Sequence, residues 1–153
     1  MERTRDTRQK GFTLIELLVV ISIIGILLAL SVFGLQGARL ASRDAKRKSD
    51  LELIRSGLEI YKADCDSYPA TLAQGGKLVG RDLTGSCLAD NTYITLVPSD
   101  PLTTSQYVYT AIPVNGSDIK YTLCATLEQA PSTPDIAGCG SCLTDCNYKV
   151  TNP

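Results

Sequence analysis

The sequence predicts an α+β chain. A long N-terminal helix, membrane-spanning in its first half, carries a small antiparallel β-sheet packed on its second half, and a disulfide-tied loop closes the C-terminus. Three observations point there. Leu17 to Leu35 is a run of 19 residues without a charge, about 28 Å as a helix against a bilayer core of about 30 Å. Apolar residues then recur at three- and four-residue steps, with no proline before Pro69. All six cysteines follow, among segments that alternate as strands do.

The helix is the best-marked element. Residues 1–11 are a short polar leader in which Arg3, Arg5, Arg8 and Lys10 stand against Glu2 and Asp6, a side-chain balance of 4 − 2 = +2. Residues 12–36 form the hydrophobic part. Residues 37–64 continue as an amphipathic helix, with Leu40, Ala41, Ala45, Leu51, Ile54, Leu58 and Tyr61 on one face. Glycines at 25, 34, 37 and 57 weaken a helix without ending it. One helix from about Leu14 to Ala63 would run roughly 75 Å. "DCDSYP", turn formers and then a proline, ends it.

Residues 65–153 read as a small β domain. "ATLAQGGKLVGRDLTGS" is a glycine-rich loop, and "TYITLVP", "QYVYTAIPV" and "DIKYTLCATL" are half-buried strands of one sheet. Asn115-Gly116 between the last two is a strong hairpin signal, and with Ser117 it also forms a glycosylation sequon. The tail from Gln129 to Pro153, rich in proline, glycine and cysteine, is expected to be irregular.

Cys65, Cys87, Cys124, Cys139, Cys142 and Cys146 form an even set in a region of under 100 residues. Each bridge there would add roughly 2–4 kcal/mol to a small core. Six cysteines allow about fifteen connectivities. Cys65 with Cys87 is the preferred first pair, because it ties the loop back to the helix end. "CGSCLTDC" has one Cys-x-x-Cys, no second one and no histidine to complete a zinc site, so bridges are expected over metal. Basic residues flank both ends of the apolar run, so cysteine placement, rather than charge counting, puts the C-terminal part outside the cytoplasm.

Composition argues against several functions. With a net charge of −1, no histidine and no phosphate-cradling glycine loop, neither nucleic-acid binding nor turnover has a footprint. The chain is expected not to be an enzyme and to need no cofactor. "RDAKRKSD", Arg43 to Asp50, reads as a solvated helix face; its sharper alternative is contact with lipid headgroups or with acidic residues of adjacent subunits. Ala29-Leu30-Ser31 approximates a signal-peptide cleavage site, but the apolar run and the helix continue past it.

Glu16 is the informative residue. An ionised group within a membrane segment costs roughly 2.5–3.5 kcal/mol at the centre and less near an end, so it calls for a partner. No lysine or arginine lies within the run. A cut after Gly11 would create an α-amino group at Phe12, four residues before Glu16. The alternative is an incidental helix-end glutamate near the headgroups.

"KGFTLIELLVVISIIGILLAL" resembles the N-terminal signature of type IV prepilins and pseudopilins over Gly11, Phe12, Thr13, Leu14, Ile15, Glu16 and Leu17, with the basic leader before and the apolar helix after. "LELIRSGLEIYKADCDSYP" and "LVPSDP" are similar, more loosely, to the helix end and Leu-Pro-x-Asp-Pro segment of major pseudopilins of type II secretion systems. The resemblance implies a precursor cleaved after Gly11 by prepilin peptidase and N-methylated at Phe12. It then polymerises into a homo-oligomeric helical filament in which Glu16 pairs with a neighbour's N-terminus. Removal of the leader changes the net charge to −1 − 2 = −3.

The implied partners are prepilin peptidase, an inner-membrane assembly platform with its ATPase, minor pilins or pseudopilins, and membrane lipid before assembly; DNA binding is not expected. The implied location is a single-pass cytoplasmic membrane anchor with the C-terminus outside, then an extracellular or periplasmic filament. A pilus subunit is the first expectation, and a secretion or DNA-uptake pseudopilin the alternative. A membrane-anchored binding domain is a remoter one. Two departures stand out. Many type IV pilins carry a proline in the apolar helix, near where this chain has Phe33. The acidic calcium loop that often ends such pseudopilins is also missing: after "YTLCATLEQ" come prolines and cysteines, with Asp135 and Asp145 as the carboxylates. Calcium takes about six to eight oxygen ligands, so no site is expected.

Overall fold

A computed structural model of the chain describes residues 11–114 and 117–152. Leader residues 1–10 and the expected Asn115-Gly116 turn with its sequon lie outside the described residues. The elements are α1 (Leu14–Cys65), β1 (Leu78–Val79), β2 (Thr92–Ile94), β3 (Val108–Val114), β4 (Ser117–Ala125) and β5 (Tyr148–Thr151). The chain divides after Arg39 into two units, and α1 contributes to both.

In the first unit every described side chain from Gly11 to Arg39 is exposed. Leu14, Ile26 and Leu30 are each more than 60% exposed. A continuous apolar surface of this extent is stable in contact with lipid or protein, not water. The two hydroxyls within it are internally satisfied: Ser22 Oγ donates to the Leu18 carbonyl and Ser31 Oγ to the Leu27 carbonyl, each at 2.8 Å. Such bonds to the preceding turn are what an environment without water requires.

In the second unit, α1 buries one face at three- and four-residue steps: Asp44, Arg47, Leu51, Ile54, Leu58, Tyr61 and Cys65. The lower part follows the expected apolar stripe. Its upper part does not: Ala41 and Ala45 are exposed, and charged Asp44 and Arg47 take the inward positions. The helix ends at Cys65 because Asp66 adopts a left-handed φ of 61° and its N–H donates to the Lys62 carbonyl at 2.9 Å.

The single expected sheet is two sheets. β3, β4 and β5 form an antiparallel three-stranded sheet with β4 in the middle, and β1 pairs antiparallel with β2. "TYITLVP" thus contributes β2 to a two-stranded ribbon with part of the glycine-rich loop. The tail also contains a strand, β5, which places Thr151 opposite Thr122 and Tyr148 opposite Ala125. Its Tyr-Lys-Val-Thr composition suits a strand, but four residues among prolines and cysteines give too short a pattern to stand out.

The core joins the α1 stripe to Tyr68, Leu78, Ile94, Val97, Tyr107, Tyr121, Leu123 and Val150. Gly57 permits a close approach of α1 to β2, since a Cβ there would collide with the Ile94 side chain. All six cysteines are bridged, as Cys65–Cys87, Cys124–Cys139 and Cys142–Cys146. None is left as a thiolate for zinc.

Candidate functional site

The head of the helix is built from Gly11 to Glu16. Gly11, Phe12 and Thr13 precede the helix and are exposed, Phe12 at 91%. Thr13 is the N-cap. Its backbone N–H and its hydroxyl both donate to Glu16 Oε2 at 2.8 Å, and the Glu16 N–H donates back to Thr13 Oγ1 at 3.3 Å. This reciprocal pattern is a capping box, and it places a carboxylate where the helix dipole favours one.

Within this chain, Glu16 thus has two hydrogen-bond donors, both from Thr13 and both uncharged. What the box does not supply is a positive charge. Thr-x-x-Glu ahead of an apolar run was readable in the sequence as a helix start. Phe12, Ile15, Val19 and Val20 form an open, almost wholly apolar surface beside Glu16.

A second constellation lies in the globular unit. Arg47 is fully buried and donates Nε to Asp100 Oδ2 (2.8 Å) and Nη2 to Asp100 Oδ1 (3.0 Å). Its Nη1 donates to Asp44 Oδ1 at 2.9 Å and to Glu128 Oε1 at 3.0 Å. Glu128 in turn receives both Nε and Nη2 of Arg43 at 2.5 Å. Two cations face three carboxylates, 2 − 3 = −1. The excess is offset by backbone donors: Asp44 accepts from the Glu128 and Gln129 N–H groups, each at 2.8 Å, and Asp100 from that of Leu102 at 2.8 Å.

The bonds to Asp100 above all, then those to Asp44 and Glu128, raise the Arg47 pKa against the opposing effect of burial. Glu128 is held down to about 2, first by Arg43 and then by Arg47. The reading of "RDAKRKSD" as a solvated face is corrected here. Lys46 and Lys48 are exposed, but Asp44 and Arg47 are inside and Arg43 is paired. The partners, Asp100 and Glu128, lie more than 50 residues away in sequence, so no local periodicity could announce them.

Helix carboxylates also receive tyrosines. Tyr107 donates to Asp50 at 2.9 Å, Tyr68 to Glu59 at 2.9 Å and Tyr93 to Asp64 at 3.0 Å. Burial, reinforced by these carboxylates, pushes all three phenols up. Among the described residues, no buried side-chain nitrogen or oxygen lacks a partner.

Comparison with known proteins gives two family matches. Residues 6–32 match the prokaryotic N-terminal methylation motif, and residues 35–127 match the family described as type II secretion system (T2SS), protein G. Among individual relatives, the type II secretion system core protein G of Dickeya chrysanthemi is 37% identical, over 63% of this chain and 65% of that protein. That of Escherichia coli K12 is 39% identical, over 61% of this chain and 67% of that protein. That of Pseudomonas aeruginosa is 33% identical, over 84% of this chain and 92% of that protein. The chain thus spans about two thirds of the first two relatives and nearly all of the third. No solved structure matches.

Proposed function

We propose that this chain, which belongs to the type II secretion system protein G family, is a pseudopilin that assembles only after its precursor is cut. The pilus-subunit reading placed first on the sequence gives way to its alternative, because the match over residues 35–127 is to a secretion protein. The finer steps are our reading. Prepilin peptidase cuts after Gly11, Phe12 is N-methylated, and the new terminus pairs with Glu16 of a neighbouring copy in a helical filament.

The observation that carries this reading is the exposed apolar surface formed by the described side chains of residues 12–36, headed by a single carboxylate whose local partners are uncharged. Lipid can cover the surface before assembly. Neighbouring helices replace lipid afterwards, and the N-terminal amine supplies the positive charge that the capping box lacks. An unpaired ionised group in such a core would cost several kcal/mol. Other pseudopilins, a membrane assembly platform and its ATPase are the partners we propose. The proposed location is the inner membrane, with residues 37–153 on its periplasmic side.

The mature N-terminal residue tests this. Mass spectrometry of the membrane-extracted chain should find N-methylphenylalanine derived from Phe12 at the terminus. A terminus at Val32 identifies a cleaved signal peptide, and an intact Met1 a plain anchor; either result overturns the reading.

A further inference from the structure

From Glu128 to Lys149 the chain has two buried side chains, Cys142 and Cys146; every apolar residue between, Ile136 and Leu143 included, is exposed or half-exposed. Cys142 and Cys146 pack with Cys124 in a small cluster whose other members are Val108 and Cys139. The tail therefore has no hydrophobic core of its own apart from sulfur. It arches over an open hollow of about 570 Å³ lined by Pro134, Ile136, Thr144 and Asp145 among others.

This tail is also joined to the Arg47 constellation. Asn147, next to Cys146, accepts the Leu127 N–H at 2.6 Å through Oδ1 and donates Nδ2 to the Leu127 carbonyl at 2.7 Å. Its own N–H donates to the Ala125 carbonyl at 3.1 Å. The next two residues after Leu127, Glu128 and Gln129, give both N–H groups to Asp44, and the Glu128 carboxylate bridges Arg43 and Arg47.

We infer that oxidation of the four C-terminal cysteines is a maturation step that closes the ionic seam on α1. Bridging Cys124 to Cys139 and Cys142 to Cys146 fixes Asn147 against Leu127, and that contact presents the two N–H groups to Asp44. For each bridge, two thiols lose two protons and two electrons. An oxidant of the disulfide class accepts the electrons and leaves as two thiols, so no other co-reactant is consumed. With the cysteines reduced, the unfolded tail is no longer restricted by the cross-links, and thiol burial with a few polar contacts, such as the Gln106 N–H to the Cys142 carbonyl at 3.0 Å and Thr122 Oγ1 to the Gly138 carbonyl at 3.0 Å, must order about twenty residues, each costing roughly 1–2 kcal/mol of backbone entropy. The inference does not depend on the filament reading.

Amide hydrogen exchange on the full chain in detergent micelles, oxidised with glutathione disulfide, tests it against a variant carrying Cys124→Ser, Cys139→Ser, Cys142→Ser and Cys146→Ser and retaining Cys65–Cys87. We expect exchange at least tenfold faster at 127–129 and 139–147 in the variant, with unchanged protection at 119–123 in β4. Equal protection in both proteins overturns the inference. So does a loosened tail with 127–129 still protected, and so does loss of β4 protection as well, since the effect would then be general unfolding.

Discussion

Arg47 grips both oxygens of Asp100 with two parallel N–H···O bonds, at 2.8 and 3.0 Å, across 53 residues of sequence and with both side chains 1% exposed. Bidentate geometry of this kind uses the planar fork of arginine, which lysine cannot reproduce. The pair fastens the Pro98–Pro101 segment to the helix at a point where the core is otherwise ionic.

Replacing Arg47 by methionine strands Asp100 and Asp44 as buried carboxylates without their cation. Denaturant unfolding of the chain in micelles should show a loss of about 3–5 kcal/mol. Arg47→Lys should recover less than half of it. A double variant, Arg47→Met with Asp100→Asn, should be less destabilised than the sum of the single changes, as groups in one network are. Strict additivity would mean that the two residues do not act as a unit.

Acid should weaken the same seam. Glu128 ionises at about 2 when folded against its ordinary 4.5, so its contribution is fully present above pH 4.5 and is lost as pH falls toward 2. Unfolding midpoints measured from pH 6 down to pH 2 should therefore drop through that window. Glu128→Gln should lower stability at pH 6 and flatten the slope below 4.5; an unchanged slope would count against the pairing.

Disulfide bridges, rather than a bound metal ion, should staple the globular unit. The Cys65–Cys87 bridge closes 22 residues and lies in the main core, so Cys65→Ser with Cys87→Ser should cost about 3 kcal/mol. Reductant should lower the unfolding midpoint of the parent chain and chelator should leave it unchanged. A loss on adding chelator alone would reveal a metal dependence that the bridges do not explain.

The capping box separates two roles of Glu16. Glu16→Gln keeps an oxygen for the Thr13 donors but removes the charge, whereas Glu16→Ala removes both. Both variants should insert and be cleaved, and neither should assemble, with filament yield scored by shearing and immunoblotting. Assembly of the glutamine variant at parental yield would assign Glu16 to helix capping and remove the pairing role.

Much of the fold was legible because it follows from local periodicity. The uncharged run, the three- and four-residue repeat from Leu51 to Tyr61 and the alternation of β3 and β4 each lie within one segment. What escaped depended on distant pairing. Arg47 looked solvated because its counter-charges, Asp100 and Glu128, come from loops after β2 and β4. β1 and β5 are two and four residues long, stabilised by their neighbours more than by their own pattern. The head of the helix was read for its charge, and the hydrogen-bond donor in the same motif, Thr13, went unused.

The ionic top of the buried helix stripe has one more consequence. Leucine, isoleucine and tyrosine fit a groove by shape and area alone, and a helix sliding by one turn would exchange Leu51 for Ile54, or Ile54 for Leu58, at modest loss. Arg47 allows no such slide. A shift of one turn, about 5.4 Å, would carry its guanidinium away from Asp100 and leave both charges stranded among apolar side chains. Adhesion is supplied by the greasy lower half of the stripe, and alignment by the charged upper half, much as a pin fixes a sliding rod at a single notch.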